Sequence, residues 1–145
     1  MLKPFSGGDW SIHRGAAFLA TNAQHVEVVG CRFNQTGGNA VLLSGNCTNS
    51  TVAHCEFVHT GDSAIVVLGL TDAIDATKQT YPNHNLIANN HIREVGVFGK
   101  QTSCIFHALA ANTTVRENVC YNGPRSLSLH SLLLSITSFS LFFCL

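Results

Sequence analysis

Apolar residues in this chain occur in short alternating or continuous runs divided by Gly, Asn or Thr-Gly. None of the runs is long enough to sustain a stable helix, so each is predicted to be a strand and each divider a turn. The dividers also recur at fixed distances, which makes a search for repeats the first step.

Residues 22–45, NAQHVEVVGCRFNQTGGNAVLLSG, and residues 46–69, NCTNSTVAHCEFVHTGDSAIVVLG, align without a gap at an offset of 24 (46 − 22). They are identical at Asn22/Asn46, Val28/Val52, Cys31/Cys55, Phe33/Phe57, Thr36/Thr60, Gly37/Gly61, Ala40/Ala64 and Gly45/Gly69. A third copy follows an insertion over residues 70–83: Ile87, Asn90, Ile92 and Gly96 fall where Val52, Cys55, Phe57 and Gly61 fell, and Cys104-Ile105-Phe106 stands for Ala64-Ile65-Val66. A fourth begins at Val115 with Asn118 and Cys120 and breaks off near Gly123.

Units of this length cannot cover their own apolar faces and bury them by stacking on one another. The expectation is an all-β parallel solenoid. Val28/Val52/Ile87/Val115 and Phe33/Phe57/Ile92 would then form internal columns at the spacing of paired strands. Cys31, Cys55, Asn90 and Asn118 would occupy the turn between those columns, where a stacked Asn amide can satisfy backbone groups in neighbouring turns. Cys31 and Cys55, pointing the same way, are predicted to be stacked free thiols.

The pattern V-x-x-[NC]-x-[FI], followed by T-G and a short apolar strand, resembles the right-handed parallel β-helix of the pectin-lyase-like superfamily. The stretch from Gly8 to Arg125, with GDW, GDSAI, HNLIANN, VGVFGKQTS and YNGPR, is more specifically similar to β-helix proteins related to glycoside hydrolases. The resemblance ends after Gly123-Pro124-Arg125, and members of the family are much longer. It therefore implies a truncated member with few coils over residues 1–125, and extracellular full-length relatives.

Residues 126–145, SLSLHSLLLSITSFSLFFCL, carry no charge and have the length of a bilayer span, but six Ser, one Thr and one His interrupt the apolar run. Two readings stand: a membrane anchor, or a tail non-homologous to the preceding domain. The first residues, MLKPFSGGDW, lack the apolar core of a signal peptide, so no export signal is predicted.

Composition narrows the chemistry. Eight basic and eight acidic residues give zero net charge, and 11% charged residues leave no basic field for nucleic acid. A 46% hydrophobic content excludes bulk disorder. The six Cys and eight His show no metal-ligand spacing, so neither a metal nor any other cofactor is predicted. The expected partner is a polysaccharide or other glycan.

Glycosidic hydrolysis needs a proton-donating acid and a second carboxylate. Asp62, at the turn entering the apolar strand 64–68, is the first candidate. Polygalacturonases of the resembled superfamily carry Gly-Asp-Asp at such a turn. Asp62 matches the first Asp, Ser63 stands in place of the second, and the preceding unit offers Asn39. An Asx turn capping its own backbone is the competing role for Asp62. Asp72 and Asp75 lie in the insertion that leaves directly after that strand and can fold back towards Asp62, or pair with Lys78.

For substrate binding the candidates are His59 at the turn near Asp62, His107 on the strand beside Phe106, Lys100 and Gln101 at the next equivalent turn, and Trp10, His13 and Arg14 in the first unit, where Trp can stack on a sugar face. Sequons at Asn34, Asn46, Asn49 and Asn112 follow readily from the Asn and Thr content. The leading functional expectation is a polysaccharide-directed glycoside hydrolase fragment. The alternatives are a non-catalytic glycan-binding or structural solenoid, and an inactive truncated product.

Overall fold

The computed structural model describes residues 6–7, 10–11, 13–70, 80–125, 128–131 and 138–142. Among these residues the chain is all-β, without a helix. The strands are β1 (Ser6–Gly7), β2 (Trp10–Ser11), β3 (Ala16–Thr21), β4 (Glu27–Val29), β5 (Arg32–Asn34), β6 (Asn39–Ser44), β7 (Thr51–Ala53) and β8 (Glu56–Val58). They continue as β9 (Ile65–Leu68), β10 (Leu86–Ala88), β11 (His91–Arg93), β12 (Ile105–Ala108), β13 (Thr114–Tyr121), β14 (Ser128–Ser131) and β15 (Ser138–Phe142).

β1 and β2 form an antiparallel pair, and every other pairing between the named strands is parallel. One sheet runs β3-β6-β9-β12-β14. In the other, the stacks β4-β7-β10 and β5-β8-β11 meet on the two halves of the long strand β13, which also pairs with β15. From β3 to β12, strands three apart in sequence thus lie side by side, because each unit repeats the same three-strand pattern, and β13 then takes two of the places in one strand.

Register follows the sequence repeat. Val28 pairs with Val52, Val52 with Ile87, and Ile87 with Val115. Phe33 pairs with Phe57, Phe57 with Ile92, and Ile92 with Cys120. These residues share one core cluster, with Phe33 packed at its edge and its ring stacked on that of Phe57 at 5.1 Å. Like pairs with like because a one-residue slip would turn each apolar side chain to the opposite face. β6, β9 and β12 are buried throughout, and their outer residues Leu42, Val66, Leu68, Phe106 and Ala108 form a second cluster.

The corners between strands use backbone that few residues tolerate. His25, Asn49, His84 and Asn112 stack in one corner, Gly30, His54, Asn89 and Glu117 in the next, and Gln35, His59, Glu94 and Asn122 in the third, all with φ between 46° and 65°. The left-handed region costs ordinary residues roughly 1 kcal/mol and Asn or Gly less, yet four of these twelve positions are His, four are Asn and one is Gly.

Buried backbone at the corners is satisfied by ladders of side chains. The Cys31 N–H donates to Cys55 Sγ, the Cys55 N–H to Asn90 Oδ1 (3.0 Å), and the Asn90 N–H to Asn118 Oδ1 (3.0 Å). Asn90 Nδ2 also donates to the Val52 carbonyl, and Asn118 Nδ2 to that of Ile87. Cys55 fills its rung as a thiol, donating to backbone carbonyls, and burial pushes its pKa up. Cys31 and Cys55 are free, as their parallel placement predicts. A second ladder passes through Ser50 and Asn85, and a third through Asn39, Ser63 and Ser103.

Cys104 and Cys120 form a disulfide that the spacing does not announce. It joins the residue preceding β12 to the Phe57/Ile92 column in β13, with the Cα atoms 6.5 Å apart. The tail that the sequence sets apart supplies β14 and β15, which extend the two parallel sheets. Its alternation of Ser with Leu or Phe suits strands. Among the described residues no helix is long and apolar enough to cross a membrane.

Three outcomes follow. Asn90→Ala strands the Cys55 N–H and the Val52 carbonyl in the interior, and is expected to cost about 2–4 kcal/mol in urea unfolding. Arg116→Ala, which breaks a surface pair with Glu117, should cost no more than about 0.5 kcal/mol. Reducing the Cys104–Cys120 bond, whose cysteines are 16 residues apart, should lower stability by roughly 3 kcal/mol, whereas a Cys104→Ala/Cys120→Ala variant should be indifferent to reductant.

Candidate functional site

Three turns of successive units lie over one another at the corner that precedes β6, β9 and β12. The Gly61 N–H donates to the Thr36 carbonyl (2.7 Å) and the Asp62 N–H to that of Gly38 (3.1 Å). From the unit above, the N–H groups of Gly96, Val97 and Phe98 donate to the carbonyls of Asp62, Thr60 and Gly61. Each turn is tightened by a threonine: Thr36 Oγ1 donates to Gly38 O, Thr60 Oγ1 to Asp62 O, and Thr102 Oγ1 to Gly99 O. The repeated Thr-Gly is therefore a device for close turn stacking. A Cβ on Gly61 would strike the Gly37 carbonyl.

Asp62 lies half-buried in this stack. Its carboxylate rests against Gly99 above and near Gly38 below, and a Cβ on Gly99 would collide with Oδ1. Burial raises the Asp62 pKa above its ordinary value, and the nearby charge of His13 offsets part of that rise. Among the described residues no side-chain hydrogen bond forms the Asx turn weighed as its alternative role. His13 borders a cleft of 300 Å³ walled by Gly15, Ala16, Ala17 and the run Thr36-Gly37-Gly38-Asn39. A second cleft, of 360 Å³, lies between Gln35, Thr36, His59, Val97 and Phe98. Thr36 lines both.

The structure thus brings Asp62 and His13 together and sets His59 on the adjoining cleft. It places other candidates elsewhere. Arg14 donates to the Gly69 carbonyl (2.8 Å) and the Ser44 hydroxyl, at the far ends of β9 and β6, and burial lowers its pKa. His107, 4% exposed, pairs in register with Val67 inside β12 and meets Thr113 Oγ1 through Nε2 at 3.1 Å. Lys100 turns back on its own loop, donating to the carbonyls of Gly96 and Val97, and Gln101 is exposed beside it. Asn39 is a corner residue: Nδ2 donates to the carbonyls of His13 and Gly15, and Oδ1 accepts from the Ser63 N–H. Asp72, Asp75 and the side chain of Trp10 lie outside the described residues.

Sequence reasoning passed over Phe98, Gly99, Gln35 and Thr36. The signal was present, because the third unit is offset from the second by 35 residues at the Asn90 ladder and by 40 at the Ser103 ladder. The difference of five (40 − 35) is an extension of the turn after β11, which carries Phe98 over Asp62. Among the described residues no group of three His, Cys, Asp or Glu side chains could hold a metal ion.

No protein-family model, no curated protein and no solved structure matches this chain.

The raised pKa of Asp62 has a defined signature. Between the ordinary value of 3.8 and the higher folded value, the native state holds more protons than the unfolded state, so stability falls as pH rises through that window and levels off above it. Asp62→Asn is expected to remove this fall, so its stability relative to the parent should rise with pH across the window in urea titrations.

Proposed function

We propose that the chain is part of a right-handed parallel β-helix of the pectin-lyase-like kind, directed at a polysaccharide, and that Asp62 is its acid in glycosidic hydrolysis. The observation that carries this reading is the Asp62 carboxylate, half-buried against glycine backbone beside His13, with its proton affinity raised by burial. A carboxyl tuned upward keeps its proton to higher pH than an ordinary carboxyl does, the direction required of an acid that gives a proton to a leaving oxygen. The parallel registers and the repeated three-strand unit support the fold part of the proposal.

In the proposed reaction Asp62 gives its proton to the bridging oxygen as the anomeric C–O bond breaks. Water supplies the hydroxyl that closes on the anomeric carbon, and its remaining proton goes to a base. Asp72 and Asp75, in the segment that follows β9, are the carboxylates proposed for that role, and His13 is the polar neighbour that adjusts the charge on Asp62.

A second reading, a non-catalytic glycan-binding module, draws on one observation. Among the described residues no carboxylate lines either cleft, and Asp62 stands alone behind Gly38 and Gly99. A panel of polysaccharides assayed for reducing-sugar release separates the two. Asp62→Asn is expected to lower release by at least about 100-fold while binding persists. Undiminished release by the variant overturns the role of Asp62, and binding without release by the parent favours the binding module.

A further inference from the structure

The loop above Asp62 presents two apolar side chains to solvent, Phe98 at 75% and Val97 at 42% exposure. It is not a slack segment. The Val97, Phe98 and Gly99 N–H groups donate to the carbonyls of Thr60 and Gly61 at 2.8–3.0 Å, Lys100 Nζ bonds the carbonyls of Gly96 and Val97, and Thr102 Oγ1 closes the loop on Gly99. The anchored backbone holds the aromatic ring outside the core, with its face open to a ligand that can stack on it.

Gln35 and His59 line the same cleft as the ring, and their left-handed backbones, at φ 56° and 52°, occupy equivalent corners of successive units. The 360 Å³ cleft has a mainly apolar lining that includes the hydrogen-bonding side chains of Gln35, Thr36 and His59, and it falls in the size range of small-ligand sites. A pyranose ring has matching chemistry, with an apolar C–H face and a rim of hydroxyls. Thr36 is common to this cleft and the one beside His13, and Gly99, next to Phe98, touches the Asp62 carboxylate. A bound sugar here would adjoin the acid.

We propose that Phe98, with His59 and Gln35, forms a sugar-binding subsite next to Asp62, in which one neutral pyranose unit of the chain stacks on the Phe98 ring. This rests on the glycan-directed reading above but not on hydrolysis, so binding is measured in the full-length Asp62→Asn protein. The probes are β-1,4-linked hexaoses of glucose, xylose and mannose, followed by calorimetry. Adding Phe98→Ala is expected to weaken binding of the best hexaose by about tenfold, and adding Phe98→Trp to retain it. Because Phe98 is exposed, both variants should unfold at the parent's denaturant midpoint. Equal binding with and without the Phe98 ring overturns the subsite whatever Asp62 does, as does failure of every hexaose to bind. Phe98-dependent binding in a parent that releases no sugar supports the subsite and sinks the hydrolytic role alone.

Discussion

Everything in this molecule depends on one constraint: a residue must lie directly over its counterpart in the preceding unit. Parallel strands satisfy their ladders between units and not within one, so a single unit has neither its hydrogen bonds nor its apolar burial complete. The corners make the constraint strict. A backbone that bends sharply over a buried interior leaves N–H and carbonyl groups that strand pairing does not reach, and Asn90, Asn118, Asn39, Ser50 and Cys55 are placed to meet them. Each such side chain serves the neighbouring unit, which couples the apolar columns to the polar ladders: a shift that broke one would break the other.

The candidate site is a by-product of the same stacking. Turns built from Thr and Gly come close enough for one backbone to bond the next, and a carboxylate introduced between them at Asp62 is shut between glycines. Its desolvation needs no deep cavity, only turns without β-carbons above and near it. The neighbouring aromatic surface comes from the extra length of the turn after β11, which carries Phe98 past the edge of the regular stack while its backbone remains bonded to the unit below.

How much of this was legible follows from which relations lie along a repeat. The columns Val28/Val52/Ile87/Val115 and Phe33/Phe57/Ile92, the role of Asn90 and Asn118, and the free thiols of Cys31 and Cys55 run from unit to unit, so a repeat alignment contains them. The Cys104–Cys120 disulfide does not run that way: it crosses the interior between two different columns, and its equivalents Ala64 and Ile92 carry no sulfur. His107 was legible as a strand residue beside Phe106, but its face was not: β12 is buried throughout, and His107 lies there in register with Val67. Lys100 and Arg14 were read as available charges, whereas backbone carbonyls take up both. Phe98 was hidden because the aligned positions drew attention and the unaligned ones looked like spacing.

The unequal offsets between units, 24, 35 and 28 residues at one ladder, have a wider meaning. Chain can be added or removed at a corner while the rungs on either side keep their partners, since the bonds that set the rungs come from the next storey and not from the segment that changed. Such an architecture keeps its frame and its ornament under separate control. Surface chemistry can diversify by lengthening a bend, without renegotiating the interior that holds it up.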